Sequence, residues 1–185
     1  MKLTLSKRAG KTQSELTQMR HRGDIPAIIY GQKEPNEKVM VNGVDFATAL
    51  RQLKKGYLPT TVFDVDCEGK QQKVIVKEIQ YHPTTYRILH LDFLPLVDSL
   101  PVDVKVPVTC SGEADCIGIK LGGFLRYIKR HIKVRCFPAD IPREFAIDIR
   151  AMEIGHSKRL RDFHLGDGVR PLAKPEEIVL TIAKR

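Results

Sequence analysis

The sequence predicts a mainly β protein built as two successive units, and three observations carry that prediction. Apolar residues recur at period two over short segments along the 185 residues, turn-forming Gly, Pro, Asn and Asp close those segments, and a proline-bearing stretch divides the chain near its middle. Successive side chains of a strand point to opposite faces, so each alternating run reads as a strand buried on one side.

The first unit opens with a predicted strand over Lys2 to Ser6, followed by Ile25 to Tyr30 and Lys38 to Val41, each short and partly β-branched or aromatic. Phe46, Ala49, Leu50 and Leu53 then fall at the i, i+3, i+4, i+7 positions of one helix, with Asn42 or Asp45 to cap its entry and Gly56 to end it. Phe63, Val65 and Cys67 alternate with Asp64, Asp66 and Glu68, and after Gly69-Lys70 the run Lys73 to Lys77 completes a hairpin. Arg87 to Phe93 forms the last strand of this half. Leu94-Pro95-Leu96-Val97-Asp98-Ser99-Leu100-Pro101 carries two prolines that cannot donate to a central ladder, which places a boundary near residue 94 and units over 1–93 and 94–185. Beyond it, Val102, Val104, Val106 and Val108 keep strict period two, a Gly-rich stretch covers 118–123, and strands are predicted near Ile132 to Cys136, Phe145 to Ile149 and Ile178 to Ala183. That texture predicts a second all-β unit, a sandwich or a partly open barrel.

Composition narrows the function. Apolar residues at 42% with charged residues at 29% predict a globular chain. No apolar run reaches the roughly 18 residues a bilayer span needs, and Met1 to Arg8 lacks the apolar stretch of a signal peptide, so no membrane partner and a cytosolic location are expected. Cys67, Cys110, Cys116 and Cys136 form no Cys-x-x-Cys pair, and no histidine stands at finger spacing from them, so no metal is expected. Cys67 and Cys136 lie in phase with strand alternations, where a thiol acts as a small hydrophobe, and Cys110 and Cys116 flank a predicted loop.

A net charge of +9 draws polyanions through its summed potential and through release of their counterions. Residues 1–33 hold seven Lys or Arg against Glu15 and Asp24, a net +5, whereas residues 34–92 hold eight of each sign. A second basic run, Lys120, Arg126, Lys129, Arg130, Lys133 and Arg135, meets no acid between Asp115 and Asp140. It offers a face to an acidic partner or to RNA.

Signatures of catalysis are missing from the sequence: it contains no Gly-x-Ser-x-Gly elbow, phosphate loop, dinucleotide fingerprint or His-Glu-x-x-His pair. No catalytic residue, cofactor or small-molecule substrate is therefore expected. In His90-Leu91-Asp92 the two polar residues share a strand face, so Asp92 can fix the His90 tautomer and leave the other ring nitrogen free. A metal-dependent RNA-processing enzyme built on that pair is the alternative from another class, although no compact carboxylate cluster for a metal accompanies it. Two further groupings point to RNA. Arg20-His21-Arg22-Gly23 delivers arginine forks just before a strand ending in Tyr30-Gly31, and Val76-Lys77-Glu78-Ile79-Gln80-Tyr81-His82-Pro83 adds Lys77 and Gln80 as donors.

Three of these runs, Arg20 to Gly31, Lys77 to Pro83 and His90-Leu91-Asp92-Phe93, stand in the order and approximate spacing of one family. The chain resembles the bacterial large-subunit ribosomal protein family L-twenty-five, in its two-domain Ctc (general stress protein) form. Val106-Pro107-Val108, Gly122-Gly123, Phe137 to Pro142 and Ile154-Gly155 extend the resemblance through the second half. The resemblance implies an N-terminal β-barrel with short α-helices followed by an all-β C-terminal domain. It also implies binding of the first domain to the loop E region of 5S ribosomal RNA at the central protuberance, with neighbouring rRNA or ribosomal proteins as partners of the second. Carried over by motif, the RNA contacts fall on Arg8, Arg20, Tyr30, His90 and Asp92, joined by Lys77 and Gln80, with Arg22 added by its place in the arginine run. A stress-related RNA-binding module with a protein-binding second domain is the further alternative.

Overall fold

The computed structural model describes residues 1–8, 12–31, 36–67, 69–166 and 168–184. Of the charged residues read in the sequence, Lys11, Lys33, Glu34 and Glu68 lie outside them. The chain divides into two compact units, Met1–Val97 and Asp98–Arg185.

The first unit is a closed six-stranded barrel. Its strands are β1 (Lys2–Lys7), β2 (Asp24–Ile29), β3 (Glu37–Asn42), β4 (Val62–Cys67), β5 (Lys70–Tyr81) and β6 (Ile88–Pro95), hydrogen-bonded around the barrel in the order β1-β3-β2-β6-β5-β4. Closure comes from two parallel pairings between strands distant in sequence, β1 with β4 (Leu3 opposite Val65) and β2 with β6 (Ala27 opposite Leu91). Alternation along each strand fills the interior with Leu3, Leu5, Ile25, Ala27, Ile29, Val39, Val41, Phe63, Val65, Val74, Leu91 and Phe93, all buried. Cys67 joins them as a buried small hydrophobe. Sealing one such large side chain from water contributes roughly 1.5–3 kcal/mol. Pro26 is tolerated in β2 because it precedes the stretch where the parallel ladder to β6 begins.

Two helices flank the barrel. Helix α2 (Gly43–Gln52) buries Phe46 and Ala49, and the Phe46 ring stands 6.5 Å from that of Phe63. Asn42 caps it, its Oδ1 accepting from Val44 N–H at 2.8 Å. The helix stops at Gln52 and does not run on to Gly56: Leu53 is already extended, and Gly56 supplies its left-handed φ in the turn that follows. Helix α1 (Gln13–Arg22) was not foreseen as an element of its own, since none of its residues is buried and no apolar stripe marks it. Its ends explain it. Thr12 and Glu15 form a reciprocal capping box, and Gly23 at φ 94° closes it. Gly23 O accepts from Gly43 N–H at 3.1 Å, an approach so close that a Cβ on Gly43 would stand 2.1 Å from that oxygen.

Among the described residues the second unit holds two sheets. One runs in the order β10-β7-β9-β12, from strands β7 (Val102–Ser111), β9 (His131–Cys136), β10 (Phe145–Asp148) and β12 (Arg170–Pro171). The other is β11-β13-β8, from β8 (Gly123–Tyr127), β11 (Ser157–Arg159) and β13 (Ile178–Lys184). Val102, Val104, Val106 and Val108 face the core with Ile132, Val134 and Cys136. The Gly-rich stretch holds most of the short helix α3 (Ile117–Lys120) and the first residue of β8. Cys116 is buried, with its thiol donating to Met152 O at 3.3 Å, while burial raises the pKa of Cys110 on β7.

Candidate nucleic-acid interface

The outward face of β3-β2-β6-β5 depends on two irregularities in register. Val74 and Val76 point into the barrel, yet Ile79, three residues later, packs against the same core. The change of phase occurs at Lys77, which is inserted between the pairs Val76/Phe93 and Glu78/Asp92 as a β-bulge. Paired regularly, Lys77 would leave Glu78 and Gln80 in the inward phase of Val76; bulged out of the ladder, it lets both face out. A second bulge falls at Leu89, between the pairs Tyr81/Ile88 and Gln80/His90.

Register then aligns polar side chains across the face. Lys38 on β3 lies opposite Ile28 on β2, Ile28 opposite Asp92 on β6, and Asp92 opposite Glu78 on β5. The neighbouring row carries Met40 opposite Pro26, and His90 opposite Gln80. Arg8 N–H donates to Lys38 O at 3.1 Å, which ties the end of β1 to the first row.

At the centre of this face stands the His90-Asp92 pair, with Tyr30 beside it. His90 Nδ1 lies 2.8 Å from Asp92 Oδ1, with the two side chains only 16% and 23% exposed, so the bond is partly shielded from water. Holding Nδ1 on the carboxylate leaves Nε2 for a second partner. Tyr30, just past the end of β2 and in phase with Ile28 and Pro26, stands near enough to Asp92 for its hydroxyl to feel that carboxylate. Burial first, and then the negative charges of Asp92 and Glu78, raise the Tyr30 pKa, keeping the hydroxyl a protonated donor. Glu78 directly opposite Asp92 is a like-charge pair, an arrangement that destabilises a sheet by itself.

Helix α1 borders the face on its basic side. The Arg20 guanidinium donates through Nε and Nη2 to Leu89 O at 3.3 and 3.2 Å, so it fastens the helix to the β6 bulge across 69 residues of sequence. Arg22, Lys7 and Arg8 line a cleft of about 350 Å³ together with Glu15 and Met40. The Arg8 Nε atom is buried there without a hydrogen-bond partner among the described residues.

Of the residues singled out in the sequence, Tyr30, Gln80, His90 and Asp92 share the outward face, Lys77 forms its bulge, and Arg8, Arg20 and Arg22 gather along its α1 border. Lys38 and Glu78 were missed. The signal for Glu78 was present in the shift of apolar phase from Val76 to Ile79. The run from Lys120 to Arg135 is less uniform than its sequence suggests, because Lys120 pairs with Asp115, Lys129 with Glu177 and Arg135 with Asp103. Among the described residues no group of three or more His, Cys, Asp or Glu is arranged to hold a metal ion, and no helix is long and apolar enough to cross a membrane.

Comparison with known proteins agrees with this layout. Residues 3–93 match the model of the Ribosomal L25p family, and residues 101–185 match that of the ribosomal protein TL5 C-terminal domain. Relatives named large ribosomal subunit protein bL25 are 36% identical in Chlamydia abortus and 37% in Chlamydia trachomatis serovar L2, in each case over all 185 residues and the full length of both chains. A bL25 of Chlamydia pneumoniae is 35% identical over the same span. With both halves matched in order and end to end, the chain belongs to the bL25 family of bacterial large-subunit ribosomal proteins, in its two-domain form.

Proposed function

We propose that the protein binds 5S ribosomal RNA in its loop E region, at the central protuberance, through the outward face of β3-β2-β6-β5 and the bordering end of α1. The hydrogen-bonded His90-Asp92 pair carries the reading. A carboxylate facing RNA is repelled by phosphates unless it accepts from base amino or imino groups, so its central place on a chain of charge +9 favours base reading over backbone grip alone. Regular A-form RNA hides its major-groove edges, and an irregular internal loop displays them. Gln80 offers both donor and acceptor, His90 presents Nε2, Asp92 and Glu78 accept, and Lys7, Arg8, Arg22 and Lys38 supply cations for the flanking phosphates.

Membership of a large-subunit family makes the protein a structural, non-catalytic component of the cytoplasmic ribosome, with rRNA and ribosomal proteins as its surroundings. The His90-Asp92 pair is accordingly not a nuclease centre. Titrating the full chain against 5S rRNA with transfer RNA as competitor tests the RNA assignment. A preference of at least tenfold for 5S rRNA is expected, and equal affinity for the two would refute it.

A further inference from the structure

One sheet of the second unit ends on β8, and the ladder fixes which backbone groups that edge presents. β8 stands last in the order β11-β13-β8, and among the described residues only β13 pairs with it. Ile128 N–H, just past the end of the strand, donates to Val179 O at 2.9 Å. Hydrogen-bonded positions alternate along an antiparallel pair, so Arg126 and Phe124 also turn their N–H and C=O toward β13, while Leu125 and Tyr127 turn theirs away. The far side of β13 agrees with this phase. Ile182, opposite Leu125, donates its N–H to His156 O at 3.0 Å, and its C=O accepts from Gly155 N–H at 2.8 Å. Leu125 and Tyr127 therefore present their N–H and C=O groups along the outer edge, where no backbone group among the described residues pairs with them.

Side chains divide along the strand in the same rhythm. Leu125 and Tyr127 share a face with the buried Ile182 and Leu180. On the other face Phe124 and Ile128, 46% and 53% exposed, stand either side of the exposed Arg126. Proline, lysine and inward-pointing charge, the devices that blunt a sheet edge, are missing from β8, and Arg126 is its one charge. Two cations of the surrounding basic run are already committed, Lys120 to Asp115 and Lys129 to Glu177. Among the described residues no carboxylate pairs with Arg126.

These groups select a partner. Donors and acceptors repeated at alternate residues match the backbone of an extended polypeptide, which is how an added strand gains affinity, while its side chains supply specificity. Phosphates only accept, so an RNA backbone would leave the C=O groups of Leu125 and Tyr127 unmatched. A second copy of the chain would bring a net charge of +9 against an equal one. We infer that the outer edge of β8 receives an extended acidic segment of another protein as a further strand, with an acidic residue opposite Arg126 and apolar residues opposite Phe124 and Ile128. The inference is independent of the RNA site on the barrel.

NMR hydrogen exchange on the full chain tests it, with a short synthetic peptide alternating valine and glutamate as the probe. Exchange at Leu125 and Tyr127 should slow at least about tenfold as peptide is added, while Phe124 and Arg126, already bonded to β13, change little. N-methylating the peptide at one set of alternate amides should abolish the protection and at the other set should spare it, because only one set faces β8. Arg126→Glu should weaken binding of this peptide by about tenfold and favour one carrying lysine in place of glutamate. Unchanged exchange at Leu125 and Tyr127 in millimolar peptide would overturn the inference, as would protection that survives both patterns of N-methylation. An Arg126→Glu protein that still prefers the glutamate peptide would overturn the charge match. Protection by an RNA duplex without protection by the peptide would make the edge a nucleic-acid surface, and protection that grows with protein concentration alone would make it a self-association surface. Either result refutes the inference.

Discussion

Asp92→Asn tests the base-reading role of the barrel face with little steric change. The substitution keeps an oxygen able to accept from His90 Nδ1, now at 2.8 Å, but removes one charge and turns an acceptor into an N–H donor. Stability should hold or rise slightly, because the like-charge pairing of Asp92 with Glu78 is relieved, an effect of a few tenths of a kcal/mol to about 1. Affinity for an unrelated duplex should likewise hold or rise as a repulsive charge disappears. Affinity for 5S rRNA should fall by about 1–3 kcal/mol, roughly five- to 150-fold, if one base contact is lost. Titrations against both RNAs at two salt concentrations measure the split, after circular dichroism has confirmed the fold. A folded Asp92→Asn protein with wild-type 5S affinity would refute the reasoning and reduce His90 and Asp92 to structural residues.

Three further perturbations follow from the geometry. Arg20→Met keeps the aliphatic stem but deletes both donors to Leu89 O, and should cost about 1 kcal/mol, seen as a lower Tm for the first unit together with weaker 5S binding. Deleting Lys77 removes the extra residue but keeps Val76/Phe93, Glu78/Asp92 and Ile79/Leu91 paired, with Glu78 and Gln80 still facing out, so urea unfolding should stay cooperative with a loss of only about 1 kcal/mol; a loss of several kcal/mol would mean that the ladder reads differently. The raised Tyr30 pKa means that folding favours the protonated phenol, so the stability tied to it is fully present below the ordinary tyrosine value near 10 and is lost as pH rises through that value and beyond. Tyr30→Phe should flatten this alkaline loss in urea titrations carried from about pH 9 to about pH 11.5.

Local signals in the sequence were read well, and distant ones were not. Strict alternation made β1, β4, β7 and β9 legible because each buries one face against a core. Helix α1 escaped notice because it buries nothing, leaving only the Thr12/Glu15 box and Gly23 as clues. Barrel closure rests on the parallel pairings of β1 with β4 and β2 with β6, and no local pattern specifies which distant strands will meet. The same division holds at the site. His90 and Asp92 were readable as a pair because residues two apart share a strand face, whereas the approach of Tyr30 to Asp92 needs the β2/β6 register and the outward turn of Glu78 needs the bulge. The basic run from Lys120 to Arg135 misled for a related reason, since Asp103 and Glu177, which neutralise two of its members, come from remote strands and turns.

The central claim is that the first compact unit holds the specific RNA site. A fragment of residues 1–97, checked for folding by circular dichroism and titrated beside the full chain against 5S rRNA with transfer RNA as competitor, tests it most directly. The account predicts affinities within a few-fold of each other and the same preference for 5S rRNA. A folded fragment that binds a hundredfold more weakly, a difference of about 2.7 kcal/mol, would contradict it.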